Sequence, residues 1–152
     1  MKTVVLGLGN PLLHDDGAGI EAVKMLEGRV SGEIELRTAA MGGLRILDQL
    51  EGFDRAIVVD AIMTGGSPGQ IKRFEEKHLA GDLHASCAHD LSFRAALALG
   101  RSLGMAVPPE IIVYGIEVAD PHRLEEGCSP PVQAGAREAA RQIEGELASF
   151  GN

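Results

Sequence analysis

The sequence predicts an α/β protein: a single three-layer domain with a mainly parallel, twisted sheet and helices on both faces. Three observations carry that expectation. Thr3–Leu8, Ala56–Asp60 and Ile111–Glu117 are nearly unbroken apolar runs, the pattern of strands covered on both faces. Helix-periodic segments lie between them, so strands and helices alternate along the chain. The length of 152 residues suits one domain, and no linker, internal repeat or low-complexity stretch interrupts it.

Thr3–Leu8 is a short β-branched run ending around Gly7 and Gly9, read as a buried strand. The loop Gly9-Asn10-Pro11-Leu12-Leu13-His14 follows. Asp15 and Asp16 then stand before a helix that carries Ile20, Val23 and Leu26 on one face. Glu33–Thr38 alternates weakly and reads as a second strand. Gly42-Gly43 breaks the chain before a short helix, Leu44–Leu50. Ala56–Asp60 is the clearest strand, closed by a carboxylate. After the loop Gly65–Gly69, Gln70–Phe74 reads as a short edge strand, and His78–His89 reads as loop with at most a turn of helix. A helix over Asp90–Leu103 is predicted from Leu91, Ala95, Ala98, Leu99 and Leu103. Beyond Pro108-Pro109 comes the strand Ile111–Glu117. In the last helix Val132, Ala136, Ala139, Ile143, Leu147 and Phe150 recur at spacings of three and four, with Ser129 suited to the N-cap and Pro130 to the first helical position.

Composition narrows the function classes. Hydrophobic residues make up 45% of the chain but aromatics only 3%, with no Trp, so the core must be built from Val, Ile, Leu and Ala. Fourteen basic against 22 acidic residues give a net charge of −8, which opposes binding to nucleic acid or anionic lipid. No apolar run approaches the roughly 20 residues of a membrane span. The N-terminus enters a strand at once without a signal-peptide layout, and two cysteines do not make a secreted scaffold; the cytoplasm is the expected compartment.

In open α/β sheets ligands bind beyond the carboxyl ends of the strands, where strand order reverses. That directs attention to Asp15 and Asp16 after the first strand, to Asp60, and to His89 in Ala88-His89-Asp90. Two carboxylates and an imidazole in one crevice would make a metal site with open positions, as catalysis or substrate sensing requires. Spacing alone does not show that they meet. Each has a plainer alternative: Asp15 and Asp16 could cap a helix, Asp60 could accept hydrogen bonds at a strand end, and His89 could cap its helix or face solvent.

The ordered blocks resemble the hydrogenase maturation endopeptidases over nearly the whole chain. The opening motif of that family is matched by Gly7-Leu8-Gly9-Asn10-Pro11-Leu12-Leu13-His14-Asp15-Asp16-Gly17. Val58-Val59-Asp60-Ala61 and His89-Asp90-Leu91 match its later ligand segments. Met41-Gly42-Gly43-Leu44, Gly115-Ile116-Glu117 and Ser129-Pro130-Pro131-Val132 resemble its Gly-bearing turn and closing segments. The resemblance implies that residues 1–152 form one peptidase domain, expected as a monomer, with Asp16, Asp60 and His89 as catalytic residues and metal ligands. Asp16 stands where the family often has Glu, one methylene longer. The implied substrate is the precursor of a nickel–iron hydrogenase large subunit, cut once near its C-terminus. The nickel is carried by that substrate on cysteine thiolates, and zinc or cadmium could stand in for it in vitro.

The remaining conspicuous residues are read as outside the site. His14 is not called for by the motif, His78, His84 and His122 sit in polar loops, and Cys87 and Cys128 are read as spare thiols. Three rival readings compete. Gly7-Leu8-Gly9-Asn10-Pro11 also resembles the start of peptidyl-tRNA hydrolases, but the Tyr and Arg-His-Asn that follow there are absent, and −8 is a poor charge for tRNA. A nucleotide-binding module would need bare N–H groups where Asp15 and Asp16 stand. An inactive escort of a partner protein is the third.

Overall fold

The structure is a computed structural model describing residues 1–10, 12–40, 45–76, 93–119, 124 and 127–150. The chain runs β1 (Thr3–Leu8), a 3-10 turn (His14–Gly17), α1 (Ala18–Lys24), β2 (Ile34–Ala39), α2 (Ile46–Leu50) and β3 (Arg55–Ile62). It continues as β4 (Ile71–Glu75), α3 (Phe93–Ser102), β5 (Glu110–Glu117) and α4 (Pro130–Phe150). The five strands form one sheet in the order β2-β1-β3-β5-β4, parallel except for β4, which pairs antiparallel with β5 at the edge. The mainly parallel sheet expected from the apolar runs is present.

The central strands read as continuous apolar runs because both of their faces are covered. On one face Val5, Ile57, Val59, Ile112 and Tyr114 pack with α1 and α4 residues such as Val23, Ala136 and Ile143. On the other, Val4, Leu6, Val58 and Val113 pack with Ile46, Leu47 and Leu50 of α2 and with Ala96 and Leu97 of α3. Burial of each such aliphatic side chain stabilises the fold by about 1.5–3 kcal/mol. The stripe expected in the last helix is the one buried: Val132, Ala136, Ala139, Ile143 and Leu147.

Two sequence expectations are corrected. The strand carrying Asp60 does not stop there; β3 runs on to Ile62 because its ladder with β5 continues through Ala61↔Ile116 and Ile62↔Glu117. The helix α3 buries Ala96, Leu97 and Gly100 rather than the predicted Ala98, Leu99 and Leu103, of which Leu99 and Leu103 are exposed. Phe93, Ala96, Leu97 and Gly100 follow the i, i+3, i+4, i+7 spacing, on a different side of the helix from the predicted stripe. Among the described residues, no helix is long and apolar enough to cross a membrane.

Candidate active site

From β1 the chain moves to β2 on one side, then returns to β3 on the other side of β1. The strand order therefore reverses between β1 and β3, and the crevice at their carboxyl ends is where this architecture places ligands. Gly9 turns the chain out of β1 at φ 137, a conformation open to glycine, and a side chain there would strike the Asp16 carbonyl. Gly19 lets α1 settle on the sheet, since a Cβ there would run into the backbone carbonyls of Leu8 and Val59. These close approaches hold the 3-10 turn against β3.

Neither acidic residue of the pair caps its own helix; no side-chain cap bond is made at the 3-10 turn or at α1. Asp15 is buried and accepts hydrogen bonds from the Ser129 backbone N–H (2.7 Å) and hydroxyl (3.0 Å), which ties the turn to the start of α4. Ser129 was expected to cap α4 with its side chain, but the hydroxyl is turned to Asp15 instead. Ser129→Ala is expected to lower stability by about 1–2 kcal/mol, read as a shifted urea midpoint with an unchanged m-value.

Asp16 is 3% exposed. Its Oδ2 accepts the Asn10 N–H at 2.8 Å, while Oδ1 is buried without a hydrogen-bond partner among the described residues. Leaving a carboxylate oxygen in that condition costs about 1–3 kcal/mol or more. Asp60 is also buried, its Oδ1 accepting the Ala61 N–H at 2.8 Å. By strand alternation its side chain belongs to the sheet face covered by α2 and α3, the face of Ala56 and Val58.

The structure thus brings the turn bearing Asp16 against the strand bearing Asp60, at the switch point. The third candidate, His89, lies outside the described residues, as do Cys87, His78, His84 and His122. Among the described residues no group of three or more His, Cys, Asp or Glu side chains is arranged to hold a metal ion.

Two neighbours of the acidic pair have distinct characters. His14 is the one non-glycine residue with positive φ among those described (29°), and its Nε2 lies 3.6 Å from Asp15 Oδ1. Cys128 shares a cleft of about 270 Å³ with Leu12, His14, Ile20 and Glu21. Burial, then the negative charges of Asp15 and Glu21, push its thiol up to about 12, so it stays protonated and unsuited to nucleophilic attack. Sequence reading missed the Asp15–Ser129 tie, whose members are 114 positions apart, and no local signal could have found it.

A sequence model of the HycI family, described as hydrogenase maturation protease, matches residues 20–146. The chain is 28% identical over 154 residues to the hydrogenase expression/formation protein HupD of Thiocapsa roseopersicina, covering 99% of this chain and 69% of that protein. It is 27% identical over 157 residues to the hydrogenase 2 maturation protease of Escherichia coli K12, covering 99% of this chain and 93% of that one. Among solved structures, the hydrogenase maturating endopeptidase HybD from E. coli superposes with a TM-score of 0.83 at 25% identity, over 99% of this chain and 94% of HybD.

Proposed function

Because the chain belongs to the hydrogenase maturation protease family, we propose that it removes the C-terminal extension from the precursor of a nickel–iron hydrogenase large subunit, after nickel has been installed. The observation that carries this reading is the buried Oδ1 of Asp16 at the switch point, without a hydrogen-bond partner among the described residues, on a turn packed against the strand of Asp60. A carboxylate held in that state is prepared for a cation that arrives with the substrate. In sequence His89 leads into α3, and α3 covers the same sheet face to which Asp60 belongs.

In this reading Asp16, Asp60 and His89 engage the nickel carried on the precursor's cysteine thiolates. Carboxylate oxygen and neutral imidazole nitrogen suit a divalent ion of that kind, and zinc or cadmium could replace it in vitro. Binding the ion orients the adjoining peptide in the crevice. The net charge of −8 accords with a protein partner rather than nucleic acid or an anionic membrane. A phosphate ligand is disfavoured, since both acidic side chains are buried where its oxygens would need donors.

The test is incubation with nickel-loaded and nickel-free precursor, with loss of the C-terminal peptide followed by mass. Cleavage of the loaded form alone is expected. Equal cleavage of both would overturn the metal-sensing mechanism, and cleavage of neither would overturn the peptidase.

A further inference from the structure

We propose that Glu117 is a positioning residue for this peptidase: its buried carboxylate latches the β3–β4 loop onto β5 and so fixes the end of β3 that presents Asp60. The inference rests on the role assigned above to Asp60. Glu117 is fully buried at the carboxyl end of β5. Its two carboxylate oxygens accept the Thr64 backbone N–H at 3.2 and 3.1 Å, and one also accepts the Thr64 hydroxyl. Lys72 Nζ stands 3.3 Å from the same carboxylate and donates to Thr64 Oγ1 at 2.5 Å, closing a three-membered network.

The main chain of Glu117 is tied to the same loop. Its N–H donates to the Gln70 carbonyl at 2.9 Å, and its carbonyl accepts the Gly69 N–H at 2.8 Å. The next residue, Val118, donates to the Ile62 carbonyl at 2.9 Å. Pairing of Asp60 with Gly115 and of Ile62 with Glu117 places Glu117 on the same sheet face as Asp60, one pleat repeat further along. The bonds to Ile62 and Thr64 bracket Met63, which is half exposed.

Burying an ionised carboxylate is costly, and an apolar residue of similar volume serves mere stability as well or better. Burial alone would push the Glu117 carboxyl up, but the Thr64 hydrogen bonds and Lys72 outweigh it and hold it below the usual carboxylate range. The group therefore remains charged and keeps its grip on the loop. Glycine and small polar residues fill that loop (Thr64-Gly65-Gly66-Ser67), so without the latch little else in its sequence would define its path.

The test compares E117Q, K72M and K72R with wild type on nickel-loaded precursor, with amide hydrogen exchange on the free enzyme. E117Q and K72M are expected to lower kcat about tenfold with KM nearly unchanged, and K72R to restore it, as loss and return of an orienting contact should. Exchange of the Met63 and Thr64 amides should quicken in E117Q and K72M while β1 amides stay protected. K72M alters a partly exposed residue and serves as the reading if E117Q does not fold. Wild-type kcat in K72M or E117Q, or a loss that K72R fails to restore, would overturn the proposal. Failure of wild type to cut the loaded precursor would end the peptidase reading as well, so the two failures are told apart.

Discussion

Asp16→Asn is expected to process the nickel-loaded precursor at least about 100-fold more slowly than wild type while melting at no lower temperature. The two halves of that expectation have one cause. The asparagine carbonyl keeps an acceptor for the Asn10 N–H, so the bond now made by Oδ2 at 2.8 Å survives. The other position, where Oδ1 is now buried without a partner among the described residues, becomes part of a neutral amide. Removing an uncompensated buried charge is neutral or stabilising, by about 1 kcal/mol, which is about 2–4 °C in Tm for a domain of this size. The same change deletes the negative charge that the proposed site needs to hold a cation, and a 100-fold loss corresponds to about 2.7 kcal/mol of transition-state stabilisation. Thermal melts beside a processing time course check it. A variant that cuts at the wild-type rate would remove Asp16 from the site, and one that loses stability in step with activity would make it a structural residue.

Gly19→Val is expected to have the largest effect on stability, a loss of about 3 kcal/mol or more, seen as a Tm lower by about 6–12 °C. A Cβ at this position would lie 2.8 Å from the Leu8 carbonyl oxygen and closer still to that of Val59. The obstacles are backbone atoms of β1 and β3, which cannot rotate aside as a side chain would. The helix α1 would have to lift off the sheet, exposing Ala18, Ala22 and Val23, all now in the core. The 3-10 turn precedes α1 directly, so Asp16 would move with it. Processing should therefore fail in Gly19→Val together with stability, whereas in Asp16→Asn activity fails alone. A Gly19→Val protein that melts as wild type would mean that α1 does not sit on the switch point as described.

Much of this molecule is determined by local sequence. Unbroken apolar runs at Thr3–Leu8 and Ile111–Glu117 could be stable only as covered strands, and the three-four spacing from Val132 to Leu147 could bury its stripe only as a helix. The rule that chemistry gathers beyond strand ends pointed to Asp60 and to the pair Asp15 and Asp16, and the family resemblance took Asp16 from that pair. That rule needs no coordinates, and Asp16 and Asp60 both prove buried at the reversal of strand order.

What periodicity could not decide is what lies next to what. The order β2-β1-β3-β5-β4 depends on which covered faces fit together, and a strand's own pattern is the same whoever its neighbours are. The face of α3 was misjudged because alanines and leucines occupy several sides of that helix, and only the presence of α2 and the sheet chooses among them. Asp15 would pass for a helix cap until Ser129, far along the chain, is seen to donate to it. Glu117 has the appearance of a charged strand end facing water until Thr64 and Lys72 close over it. In each instance the chain's local preference was satisfied by more than one arrangement. The fit of apolar faces selected the strand order and the side of α3, and the need of buried polar groups for partners selected the settings of Asp15 and Glu117.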